Sequence, residues 1–184
     1  MLEHACLEVS LGDKVPREIP VVIEVPKNSK IKYEIDPETG LIRVERILYG
    51  SVHYPANSGF IPRTEGPGGG PLQILVLGQE SFVPLSIVRA CPLGGLRIKY
   101  PGEAEDKLIA VHADDPEYRE FTSLQELPHH RIRELSRFFE DYKAVEYEDT
   151  RQVTVERRIG QEEAFQLIQK AIERYSALHQ GRAA

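Results

Sequence analysis

"IKYEIDPETGLIRVERIL", residues 31–48, alternates apolar and polar side chains on either side of a DPETG turn, the pattern of two antiparallel strands joined as a hairpin. Successive side chains of a strand point to opposite faces, so Lys32 and Glu34 share one face, Tyr33 takes the other, and Arg46 lies across the hairpin. Upstream, "VVIEV" (21–25) is an apolar run interrupted only by Glu24. Downstream come four more strand candidates: "GFIPRT" (59–64), "LQILVL" (72–77), "FVPLSIVRACPLGGLRIKY" (82–100, expected to break between Pro92 and Gly95) and "DKLIAVHA" (106–113). Short strands at this spacing predict a small β-barrel. Helical signals begin only after Ser123, where Pro128 takes a first-turn place and Ile132, Leu135, Phe139 and Tyr142 recur on one face. "QVTVERRI" (152–159) reads as one more strand. The stripe Ala164, Leu167, Ile168, Ala171, Ile172, Tyr175 and Leu178 then predicts an amphipathic helix, with Glu162 and Glu163 in its first turn.

The chain has 184 residues and is expected to form a single domain over 1–184, with 1–10 and 179–184 flexible. Its net charge of −6 argues against a general nucleic-acid binder, which needs Lys and Arg matched to phosphates. Cys6 and Cys91 are far apart and in no ligand-like spacing, so they read as reduced thiols. The first residues lack a basic stretch followed by an apolar one, and no run approaches bilayer-spanning length. A cytoplasmic protein without a membrane partner is the expectation.

"TEGPGGGPLQILVLG", residues 64–78, places three glycines between two prolines and ahead of an apolar strand. Such bare backbone can cradle a phosphate, form a plain loop, or mark a site whose side chains have been removed. A phosphate-binding P-loop needs Gly-Lys-Ser/Thr opening a helix, and a strand follows here instead. His129 and His130 read as solvated surface, and His53 and His112 are isolated in strand segments. The charges placed inside strands, Glu24, Lys32, Glu34 and Arg46, carry more weight together than singly.

"VVIEVPKNSKIKYEIDPETGLIRVERIL", "HYPANSGFIPRT", "EDKLIAV" and "FFEDYKAVE", in that order and spacing, resemble the family I soluble inorganic pyrophosphatases over about residues 11–178. The resemblance implies a mainly β fold with α: a five-stranded OB-like barrel carrying two helices, usually hexameric in bacteria. It also implies hydrolysis of diphosphate to two phosphates with several Mg²⁺ ions, which lower the pKa of a bridging water. Matched position by position, Lys32, Arg46, Tyr54, Lys107, Tyr142 and Lys143 fall on substrate-binding residues, and Glu24 and Glu34 on cavity carboxylates.

The family's Asp-x-Asp-Pro-x-Asp loop corresponds to "GGGPLQ", so Gly68, Gly70 and Gln73 stand at its three aspartates. Two later carboxylates correspond to Tyr100 and Glu105, and a cavity tyrosine to Ser58. Gln73 thus occupies the catalytic carboxylate position, and Glu24, Glu34 and Glu105 are residual metal ligands. On this resemblance the glycines mark vacated metal positions. The expectation is a degenerate homologue that binds phosphate, diphosphate or a related phosphorylated small molecule, with impaired hydrolysis and doubtful Mg²⁺ binding. Two other readings stand beside it: an active or slow diphosphatase with ligands relocated to Glu65, Glu103, Glu105 or Asp106, and an OB-barrel scaffold or interaction module.

Overall fold

The computed structural model describes residues 7–36, 38–142 and 153–179. β1 (Ile19–Val25) pairs antiparallel with β4 (Asn57–Phe60) along one edge and with β6 (Ile87–Tyr100) along the other. β4 continues to β5 (Gln73–Leu77), β5 runs parallel to β7 (Glu103–His112), and β7 pairs with β6. The pairings therefore form a ring of five strands, the small barrel that the strand spacing predicts. β8 (Thr154–Ile159) extends the sheet beyond the far half of β6.

The hairpin stands outside this ring as a two-stranded sheet of β2 (Ile31–Ile35) and β3 (Ile42–Ile47). Asp36 closes its turn by accepting bonds at Oδ1 from Glu38 N at 3.1 Å and Thr39 N at 2.8 Å. Ser123 and Glu126 cap a short 3₁₀ turn (Leu124–Glu126) ahead of α1 (His129–Tyr142), and α2 (Gln161–His179) follows β8. Among the described residues, no helix is long and apolar enough to cross a membrane.

β5 and β7 are apolar on both faces because each face has its own layer to pack against. Leu75, Leu77, Ile109 and Val111 join the cluster under α1, which contributes Ile132, Leu135, Phe138 and Phe139. Ile74, Val76, Leu108 and Ala110 join the cluster under α2, which contributes Ala164 and Ile168. Leu178, at the end of the expected α2 stripe, is exposed.

Two strand boundaries differ from the sequence expectation. The run 82–100 does not break at Pro92: β6 is continuous over Ile87–Tyr100, and a register shift against β7 between Pro92 and Gly94 absorbs the irregularity. The strand expected over 59–64 lies at Asn57–Phe60, ahead of Pro62, which has no N–H to give a ladder. Cys91 is a free thiol, whereas Cys6, Lys143, residue 152 of the expected β8 and the tail 180–184 lie outside the described residues.

Backbones approach most closely at Gly59, where an added Cβ would lie 2.0 Å from the carbonyl oxygen of Val22. Gly68, by contrast, has open space around that position. Gly59→Ala is expected to cost at least about 3 kcal/mol because β1 and β4 must separate, while Gly68→Ala stays within about 0.5 kcal/mol. Urea denaturation of the two variants checks the difference, and equal midpoints would contradict this account of the β1–β4 contact.

Candidate functional site

A cavity of about 510 Å³ is lined by residues of β1, β2, β4, β5, β7 and α1. Two β-bulges shape the strands around it, since a bulge changes which face the following residues occupy. The bulge in β1 between Ile23 and Val25 turns Val25 from the α2-side cluster to the α1-side cluster, and both Glu24 and Val25 line the cavity. The second bulge lies in β3, where Glu45 is the extra residue opposite the Lys32–Tyr33 step of β2, and Lys32, Tyr33, Glu34 and Ile35 all line the cavity.

One end of the cavity is organised around the hydroxyl of Tyr142, on the last turn of α1, which bonds to Lys32, Arg46 and Tyr54. Lys32 Nζ lies 5.8 Å and the Arg46 guanidinium carbon 4.9 Å from the Tyr142 ring centroid. Tyr54 and Phe138 pack against the same ring at 5.9 Å and 5.2 Å between centroids. Burial alone raises a phenol pKa, yet the charge of Lys32 and the bonds from Arg46, Tyr54 and Lys32 bring Tyr142 below its ordinary value. Burial, then the negative charge that Tyr142 carries when ionised, hold Tyr54 well above its ordinary value. Burial lowers Lys32, but Tyr142 and Glu45 outweigh it and the ammonium is stabilised.

The lining also holds Glu24, whose Oε1 accepts the Ile35 N–H at 3.2 Å and whose proton affinity the neighbouring Gln73 side chain lowers. Burial raises the pKa of Glu24 more than these two neighbours lower it. The remaining carboxylates are committed. Glu34 accepts Arg43 Nε at 2.9 Å, Glu105 is ion-paired with Lys107, and Asp106 accepts Arg97 Nε and Nη2 at 2.7 and 2.8 Å.

The glycine loop is held by its own backbone and by one side chain. Gly66 N donates to Gly70 O at 2.7 Å, and Gly70 N donates to Glu65 Oε1 at 2.9 Å. Gly70 has a φ of +75°, in the left-handed region that glycine occupies without strain.

Lys32, Tyr54, Lys107, Tyr142, Glu24, Glu34, Glu105, Ser58, Gly70 and Gln73 are thus brought to one cavity, with Arg46 behind the Tyr142 ring. Gly68 is exposed in the loop, and Tyr100, 1% exposed, packs in the α1-side apolar cluster; neither lines the cavity. Glu45 was not among the sequence candidates, although it lies 3.5 Å from Lys32 Nζ. Its place next to Arg46 was legible, but the bulge that makes it the extra residue opposite the Lys32–Tyr33 step was not.

Mg²⁺ asks for about six hard oxygen donors in near-octahedral array. Among the described residues, no three or more His, Cys, Asp or Glu side chains are grouped to hold a metal ion. Glu24 faces a carboxamide, and Glu34 and Glu105 face cations. The donor set does not fit the Mg²⁺ cluster that the sequence resemblance implies.

Residues 21–176 match the family described as inorganic pyrophosphatase. "Soluble inorganic pyrophosphatase 2" of Chlamydomonas reinhardtii is 47% identical over 172 residues, 94% of this chain and 88% of that protein. The inorganic pyrophosphatase of Thermus thermophilus superposes with a TM-score of 0.85 at 33% identity, over 91% of this chain and 97% of that one. That of Helicobacter pylori superposes with a TM-score of 0.84 at 36% identity, over 92% and 99%.

The arrangement at Tyr142 makes a spectroscopic prediction. Followed by phenolate absorbance, one tyrosine is expected to ionise below the ordinary value of 10.0. Tyr142→Phe removes that step and Lys32→Met moves it to higher pH, because the ammonium no longer favours the anion. A wild-type curve with every tyrosine titrating at or above the ordinary value contradicts the assignment.

Proposed function

The chain belongs to the inorganic pyrophosphatase family, and from that membership we propose that it keeps a phosphate-binding cavity but hydrolyses diphosphate far more slowly than its relatives. The observation that carries this reading is the cavity lining, where Gly70 and the carboxamide of Gln73 stand at positions to which the sequence resemblance assigns acidic ligands and, among the described residues, no three carboxylates are grouped to hold a metal ion. Lowering the pKa of a water from about 15.7 to about 7 is worth on the order of 10 kcal/mol in forming the nucleophile. Gln73 is neutral over the working pH range and cannot take up that proton.

Lys32, Arg46 and Tyr142 supply the other half of the proposal. Two cations and a hydroxyl converging on one point form a mount for a phosphoryl group. Lys107 adds a third cation on the facing wall and Lys143 is assigned to the same grip by sequence alone. Association into homo-oligomers, hexamers by resemblance, belongs to the same proposal; exposed Leu41, Val44, Ile47 and Tyr49 on and beside the hairpin support it. The free thiol of Cys91 suits a reducing compartment such as the cytoplasm.

The competing reading is an active Mg²⁺-dependent diphosphatase with relocated ligands, and the names of relatives such as the Chlamydomonas protein favour it. Against it, three of the four carboxylates it could use are engaged elsewhere, Glu65 with Gly70, Glu105 with Lys107 and Asp106 with Arg97, while the fourth, Glu103, is solvent-exposed. A scaffold or interaction module leaves the converging cations without a role.

Phosphate release from diphosphate with Mg²⁺ is expected to be at least about a thousandfold below that of the Thermus thermophilus enzyme, a difference of about 4 kcal/mol in the barrier. Comparable turnover that Lys32→Ala abolishes would overturn the proposal in favour of relocated ligands.

A rescue tests the same point from the other side. Gly68→Asp, Gly70→Asp and Gln73→Asp together are expected to create Mg²⁺ binding and to raise hydrolysis, with each single change doing little because ligands act as a unit. Tyr100 is left in place because a carboxylate there would be buried among apolar side chains. The left-handed φ of Gly70 tolerates aspartate better than most residues. Calorimetric Mg²⁺ titration and phosphate release are the readouts, and a folded triple variant that gains neither contradicts the assignment of these positions.

A further inference from the structure

We infer that the cavity takes a phosphate monoester whose organic part is uncharged and partly apolar, with the phosphate at Lys32 and Tyr142, backed by the charge of Arg46, and the organic part toward Glu24 and Gln73. The inference rests on the phosphate-cavity reading and narrows it to a class of ligand.

Charge is distributed unevenly around the cavity. Lys32 and Arg46 flank the Tyr142 ring and share the Glu45 carboxylate at 3.5 and 3.3 Å, which leaves the pair a net positive charge to receive one anionic group. The lining also carries Glu24, Glu34 and Glu105, of which Glu34 is paired with Arg43 and Glu105 with Lys107. The second phosphoryl group of a diphosphate, with about one to two negative charges, would have to compete with Glu34 and Glu105 for those cations and approach the carboxyl of Glu24. In the absence of a bound cation that contact is repulsive, and the donor set does not gather one. A monoester avoids the repulsion because its second half carries no charge.

Space and surface chemistry point the same way. A volume of about 510 Å³ falls in the range of pockets that enclose small organic molecules. It is larger than a bare phosphate fills. Ile35, Phe60, Pro71, Ile74 and Leu108 form apolar wall around the Glu24–Gln73 pair. The strand registers set this up: Phe60 lies opposite Gln73 across β4 and β5, and Ile74 lies opposite Leu108 across β5 and β7. An acceptor and an amide inside an apolar wall suit a hydroxyl or amide on an otherwise uncharged group.

Phenyl phosphate is the probe, with inorganic phosphate, diphosphate and phenol as comparisons, titrated calorimetrically into the full chain in EDTA. Phenyl phosphate is expected to bind at least about tenfold tighter than inorganic phosphate and tighter than diphosphate. Arg46→Gln should weaken phenyl phosphate and inorganic phosphate together, whereas Ile35→Asn, at a half-buried wall position, should bring phenyl phosphate toward the affinity of inorganic phosphate. If inorganic phosphate binds and phenyl phosphate binds no tighter, the ester inference is overturned and the phosphate cavity stands. Phenol binding as well as phenyl phosphate also overturns it, by showing an apolar cavity indifferent to the anion. If no phosphate compound binds, the reading beneath it fails as well.

Discussion

β1 is hydrogen-bonded along both edges, to β4 on one side and β6 on the other, and the remaining architecture follows from that double pairing. A strand paired on both sides closes the ring, removes the free edges of those five strands and leaves the hairpin to stand apart as a separate pair. The closeness this demands is recorded at Gly59, where only a hydrogen fits against the Val22 carbonyl. It also sets the site. The ladder with β4 is interrupted at the bulge between Ile23 and Val25, and this is where the strand delivers Glu24 to the cavity.

Two parts of the cavity lining deal with buried polarity in different ways. At Tyr142, cations and hydroxyls concentrate positive potential on one oxygen, which makes the phenol more acidic and its neighbour Tyr54 less so. Two similar side chains in contact thus acquire opposite tendencies from their partners. At Glu24 burial instead disfavours charge by raising proton affinity. A metal cluster would need the reverse, several carboxylates kept ionised and free of competing donors.

Much of this was legible in residue order, because it depended on local periodicity. Alternation around DPETG predicts β2 and β3, and Asp36 closes that turn with its own side chain. The apolar spacing after Pro128 predicts α1, to which the structure adds Phe138 as a core residue. What escaped reading depended on partners distant in sequence. Pro92 looks like a break until β6 is seen bonded to β7 along its whole length, and Glu45 looks like solvated surface until a bulge in β3 sets it against Lys32. Tyr100 shows the same limit at the site. Alignment marks the position, but only packing shows that the side chain lies in the apolar cluster and away from the cavity.

The bond between Glu65 and Gly70 has a consequence for how this fold can change over time. Because one carboxylate and two backbone groups define the loop, its outline does not depend on what the positions from Gly66 to Gly69 carry. Substitutions compatible with the torsion angles there go unnoticed by folding, so drift in that loop is exposed to selection on chemistry alone. Barrel and loop are then free to change on separate terms.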